Sequence, residues 1–309
     1  MRLGTLFLVL ALLGPFLSEY GLKLASEALI LGLYAMAFNL LFHQAGLLSF
    51  GQAAFFGVGA YAMALLASRA AWPFLLTLPA SLLASALVAL VIGFFSIRLT
   101  RIYFTMLTLA FAQLLYAVAH KWYAFTGGDN GITDLRPGGL FGESLPFYYL
   151  VLLVFALSLT FLAALYRAPF GYALRGIRDN RARAEAVGIH GVSHLLLAFV
   201  LSGMLSGLAG ALQGALQRSV FPDYLFWTRS AEAIISTILG GSGVFLGPAV
   251  GAAAFLLLRV VVQAQTEYWP FFVGVLLLLM VLFFPRGLAG VWDSVMGRLA
   301  GVRRGPAAR

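Results

Sequence analysis

Four side chains set in apolar runs have the types that could do chemistry: Glu27, Gln52, Glu232 and Arg259. A lone charge in hydrocarbon is costly, so each ionisable one must face protein, water or a counter-charge. Glu27 and Glu232 fall within a turn or two of the expected outer ends of their runs, with Lys23 and Arg229 nearby as partners. For Glu27 interfacial pairing is the expectation. For Glu232, on a short run ahead of Gly240, Gly241 and Gly243, it is a structural or pathway role. Arg259 sits in mid-run and needs a partner or a wet cavity. Gln52 opens a stretch rich in small residues that includes Gly57 and Gly59. Small residues spaced by three let helix backbones approach closely. Broken helices with polar groups at depth also line transport cavities, so packing and solute contact both stand open for Gln52 and Gly57.

A fifth feature is basic. Residues 167–194 carry Arg167, Arg175, Arg178, Arg181 and Arg183 against only Asp179 and Glu185, between two long apolar runs. Pro169 suits the first turn of a helix, where its missing N–H costs nothing. Phe170, Leu174 and Ile177 then share one face. Asp179 or Asn180 can cap a second short helix, and Gly188 can end it in the left-handed conformation. Two short amphipathic helices at a membrane face are expected. Such an element binds anionic lipid through its arginines or docks a partner.

Enzyme chemistry finds no footing. The chain has no cysteine, and His43, His120, His190 and His194 make no metal-binding spacing. No GxxxxGK[ST] loop, GxSxG elbow or paired carboxylates in a cleft are present. Neither a catalytic site nor a cofactor is expected on this chain.

These residues must be positioned by apolar helices. Of 309 residues 62% are hydrophobic and 10% charged, against roughly a quarter charged in soluble domains. The fold class expected is all-α, a polytopic membrane helix bundle. About ten spans are read: 3–17, 24–42, 47–67, 73–97, 102–120, 147–166, 195–217, 227–239, 244–262 and 270–284, with eight as the alternative count. With 167–194 in the cytoplasm, Arg2, Arg98, Arg101, Arg286, Arg298, Arg303, Arg304 and Arg309 share its side. Lys23, Arg69, Lys121, Arg136, Arg218 and Arg229 fall outside with most of the acids, among them Glu267. That bias puts both termini in the cytoplasm. Residues 1–290 form the transmembrane domain and 291–309 a basic tail. The net charge of +9 is spent on orientation, and no nucleic-acid partner is expected.

Seven segments occur together in order: LSFGQAAFFGVGAYAMALL, YFTMLTLAFAQ, TGGDNGI, FGYALRGIRDNRARAEAVGI, AFVLSGMLSGLAGAL, ILGGSGVFLGPAVGAA and LFFPRGLAG. In this the chain resembles the LivM-type permeases of the branched-chain amino acid ABC transporter family. The resemblance implies a bacterial or archaeal plasma (inner) membrane and import of leucine, isoleucine, valine or related small amino acids. It implies a second, LivH-type permease, two cytoplasmic ATPase subunits binding ATP and Mg, and an extracytoplasmic substrate-binding protein. It makes 167–194 the coupling loop, carried by Arg175, Arg178, Asp179, Asn180, Glu185 and Gly188, although Ala184-Glu185-Ala186 and Gly188 echo the wider importer loop motif at a shorter spacing. Gln52, Gly57 and Glu232 are the expected pathway residues. The competing class is a stand-alone secondary transporter or channel for small polar solutes.

Overall fold

The computed structural model describes residues 3–135 and 137–265, with positions 268, 271–272, 274–275, 278 and 287–288 beyond them. Among the described residues the regular structure is helical: α1 (Leu3–Leu13), α2 (Glu19–Asn39), α3 (Gln52–Ser68), α4 (Phe74–Ser96), α5 (Arg101–Lys121), α6 (Tyr123–Thr126), α7 (Ser144–Arg167), α8 (Pro169–Asp179), α9 (Arg181–Ala186), α10 (Gly191–Gln217), α11 (Trp227–Gly240) and α12 (Gly247–Gln263). Five helices are long and apolar enough to cross a membrane: α2 with its extension to Ala45, α4, α5 from Ile102, α7 and α10. Phe7–Phe16, α3 and α12 are apolar but shorter. The tenth expected span, the 291–309 tail, Arg2, Arg136, Glu267 and the placement of both termini lie outside the described residues.

The solvent for this bundle is legible in α4, which is built inside out. Its buried face carries Thr77, Ser81, Ser85, Ala89, Gly93 and Ser96, while Leu83, Leu87, Leu90, Val91, Phe94 and Phe95 are exposed. In water that pattern would expose a large apolar face and bury hydroxyls. In lipid it puts small residues between helices and greasy ones outward. Three of the four hydroxyls are satisfied at once: Thr77 donates to the Phe74 carbonyl (2.7 Å), Ser81 to the Thr77 carbonyl (2.7 Å) and Ser85 across to the Phe55 carbonyl of α3 (3.2 Å), while that of Ser96 has no hydrogen-bond partner among the described residues. The chain is a multi-pass membrane protein.

The core is the closely packed trio α3, α4 and α10, with α2 packed against α10 and flanked by α7, α11 and α12. Small residues bring α3 and α10 into backbone contact. A Cβ on Gly59 would overlap Gly207, and one on Gly210 would overlap the Phe56 carbonyl, a backbone atom with nowhere to go. Gly210→Ala is therefore expected to lower stability by about 1–3 kcal/mol through overpacking. Gly176→Ala, inside α8 with nothing within 4 Å of its Cβ, should gain about 1 kcal/mol of helix propensity. Thermal midpoints of the two purified variants, moving in opposite directions, check the pair.

The bundle has two distinct ends. At one, the glycine-rich loop after α5 folds over the top: Ile132 pairs with Val220, Arg218 donates to the Gly142 carbonyl (3.0 Å), and Arg69 donates to the carbonyls of Ala124 (2.8 Å) and Phe125 (2.9 Å). At the other, α8 and α9 form the basic hairpin between α7 and α10.

The segment after α10 does not simply cross back. From Val220 it descends along α3 until Leu225 packs against Gly57, leaving no room there for a side chain. Gly57 is about 18 Å along the helix from Arg69 at the loop end, so α11 begins inside the bundle. With 14 residues it rises only about 21 Å, short of the roughly 30 Å hydrocarbon layer. It is capped by Gly241 (φ +96°), and after a six-residue break α12 returns. This corrects the expected position of two residues: Glu232 and Arg229, placed by sequence near an outer membrane face, lie at depth.

Candidate functional site

Three groups of functional side chains emerge, met in order along α2 and the turn that extends it at Glu27, Ala37 and His43. The middle one is a polar knot. Gln52 is wholly buried at the start of α3. Its Nε2 donates to Ser202 Oγ (3.0 Å), Ser206 Oγ donates to its Oε1 (2.7 Å), and Ser202 Oγ donates to the Ala37 carbonyl of α2 (2.6 Å). One amide thus ties α2, α3 and α10 together in a setting where unpaired polar groups are expensive. Gly57 likewise sits in a packed contact. Gln52→Leu should cost about 1–3 kcal/mol, since both serines lose a partner. A drop in the unfolding midpoint of the purified chain measures it.

The second group is an alternating chain of four charges. Arg229 Nη1 bonds Glu232 Oε2 (2.8 Å), Glu232 Oε1 lies 3.5 Å from Arg259 Nη1, and Arg259 Nη2 bonds Glu27 Oε1 (2.5 Å). The side chains are only 14–22% exposed, so their pairing is nearly as sheltered as in a core. Residues from α2, α11 and α12 meet here. Arg259 finds the partner its position demanded, but Glu27 does not pair with Lys23, as sequence proximity suggested. Lys23 is engaged with Glu19 (2.9 Å), four residues away on the same helix face. Tyr224 lies under Arg229, its ring centroid 5.2 Å from the guanidinium carbon. Phe56 is 5.7 Å from Tyr224 and 4.8 Å from Tyr34, centroid to centroid.

The third group joins the hairpin to the helices. Asn180 caps α9 by accepting from the Arg183 N–H (2.9 Å), Gly188 is left-handed (φ +89°), and Leu174 and Ile177 are buried. The six loop residues then divide. Arg175 and Arg178 turn inward: Arg175 donates to the Tyr166 carbonyl (3.2 Å) and stacks on Tyr172 (4.4 Å). Arg178 bonds Asp179 and the His43 carbonyl. Asp179, Asn180, Glu185 and Gly188 stay exposed, with Arg181 bonded to Glu185 (2.8 Å). Exposed Tyr172 and Val187 complete that outer rim; neither stood out in the sequence.

His43 lies in a π-helical turn, Leu40–Ala45, that finishes α2. Such turns are rare and concentrate at functional sites. Gly46 closes it at φ +70°, and a Cβ there would sit 2.6 Å from Arg178 Cγ, so this position needs glycine twice over. One turn back, Asn39 Nδ2 donates to the Ser242 carbonyl (3.3 Å) in the break between α11 and α12. The hairpin, the end of α2 and that break are thus in direct polar contact.

Comparison with known proteins agrees with this geometry. The family described as branched-chain amino acid transport system / permease component matches residues 21–281. Two relatives, each named as the high-affinity branched-chain amino acid transport system permease protein LivM, come from Salmonella typhimurium and Escherichia coli K12. Each is 28% identical over 91% of this chain and 73% of its own length. No solved structure matches the chain. The matched residues run from the start of α2 past the end of α12, taking in the hairpin and all four charges, and on that basis the chain belongs to the branched-chain amino acid transport permease family.

Proposed function

We propose that this chain is a membrane-spanning subunit of an ATP-driven importer in a bacterial or archaeal plasma membrane, moving leucine, isoleucine, valine or related small amino acids. The observation that carries the reading is the division of the hairpin. Arg178 fastens it to α2, while Arg181, Arg183, Glu185 and Val187 remain exposed. An element tied to the spans on one side and free on the other suits the transmission of rigid-body motion from a partner. Two cytoplasmic ATPases, holding ATP and Mg, would grip that rim. A LivH-type permease would complete the membrane unit, and a substrate-binding protein would deliver the amino acid at the loop end. This chain itself carries no catalysis. Gln52 and Gly57 hold the helices whose movement opens the pathway, and Glu232 faces it. Lipid surrounds α4 and α5, whose outward faces are apolar.

The test is purification from cells expressing the neighbouring transport genes, followed by uptake in proteoliposomes. Two ATPase subunits are expected to co-purify and to be lost with Arg183→Glu, and leucine uptake should require ATP. Uphill uptake by this chain alone without ATP would instead make it a stand-alone secondary transporter.

A further inference from the structure

The four buried charges are more than a stability device demands. Replacing a buried ion pair by apolar side chains of similar volume is often neutral or stabilising, and ionisable groups inside a membrane are by default functional. Their arrangement has a specific chemistry. Arg229, Glu232, Arg259 and Glu27 alternate in sign and sum to zero. A free amino acid carries the same pattern in miniature, an α-ammonium beside an α-carboxylate. Such a zwitterion can enter the chain by exchanging partners: its ammonium takes the place of a guanidinium at a glutamate, and its carboxylate the place of a glutamate at an arginine. Charge stays balanced at every stage. The contact between Arg259 and Glu232, at 3.5 Å, is the looser link and the natural point of entry.

A second observation points the same way. Tyr34 is buried and its hydroxyl has no hydrogen-bond partner, although such groups are nearly always satisfied. The neighbouring Ser230 hydroxyl donates to the Phe50 carbonyl (2.6 Å) and accepts from the Ala53 N–H (2.8 Å), so it offers Tyr34 one remaining lone pair and no proton. Tyr34 lies two turns beyond Glu27 on the same face of α2. Tyr34, Phe56 and Tyr224 form an aromatic wall beside the ion pairs. Charges for the α-groups and an apolar wall for the side chain meet where α11, a helix starting inside the bundle, crosses α2 and α12. Discontinuous helices are where transporters build such sites.

We infer that Glu27, Glu232, Arg229 and Arg259, with the Tyr34 hydroxyl, form a binding site for the α-ammonium and α-carboxylate of an apolar amino acid. The inference rests on the permease reading above and adds the residues that hold the solute. The experiment is equilibrium binding of radiolabelled leucine to the full-length chain with its co-purifying subunits in lipid nanodiscs, without binding protein. Leucinamide and 4-methylpentanoate, each lacking one α-charge, are the competitors. Wild type should bind leucine saturably and prefer it over both analogues. Tyr34→Phe removes an atom with no partner in the protein, so the thermal midpoint should hold while leucine affinity falls about tenfold, the worth of one hydrogen bond to a charged group. Unchanged affinity in Tyr34→Phe, no saturable binding to wild type, or equal competition by both analogues overturns the site. Loss of ATP-driven uptake alone, with Tyr34-dependent binding intact, would remove the importer reading and leave the site standing.

Discussion

Arg259→Met is expected to destabilise the bundle by about 3–5 kcal/mol, the cost of removing one partner from a buried ion pair. Arg259 holds Glu27 with one amino group and Glu232 with the other. Without it Glu232 keeps Arg229, but Glu27 loses its ion-pair partner. The double variant Glu27→Gln/Arg259→Met should recover a large part of the loss, because contacting partners couple non-additively. Arg259→Lys should fall between, since a single ammonium cannot reproduce a planar fork spanning two carboxylates. Unfolding midpoints of the three purified variants measure the cycle. A double variant no more stable than Arg259→Met would mean that the charges act independently.

The second large effect concerns transport. Arg178→Ala cuts the contact between the hairpin and the π-helical end of α2 while leaving Arg181, Arg183, Glu185 and Val187 on the outer rim. ATPase subunits should still co-purify, and ATP-driven leucine uptake should fall about ten- to a hundredfold, the worth of a hydrogen bond from a charged group. Arg183→Glu should instead lose the subunits. Uptake unchanged in Arg178→Ala would show that force enters the spans by another route.

Local signals in the sequence served the hairpin well. Proline at the first turn, asparagine at the second cap and a glycine at the close are short-range rules, and α8, α9 and the φ of Gly188 obey them. The expected ends of the six spans from 73–97 to 244–262 are matched to within a few residues, because the apolar runs stop there. At the start of α3 the expected span overreached, since residues 47–51 are not helical. The depth of α11 was illegible, because the descent of 220–226 along α3 is set by Leu225 meeting Gly57, a contact between residues 168 positions apart. Arg259 and Glu27, 232 positions apart, leave no trace in either neighbourhood. Counting spans alternately in and out assigns Arg229 and Glu232 to a surface, and it fails wherever a segment turns back before crossing. The π-turn at Leu40–Ala45 likewise has no residue signature apart from Gly46 behind it.

The geometry of α2 has a mechanical consequence. It is held at His43 by Arg178, at Ala37 by Ser202 and at Glu27 by Arg259. At helical rise the middle hold divides the rod into arms of about 9 Å and 15 Å. A stiff rod pivoting at Ala37 is a lever of unequal arms, and each ångström pushed at the short arm swings the long arm by roughly 1.7 Å. Small strokes delivered at the hairpin would arrive magnified where Glu27 meets Arg259.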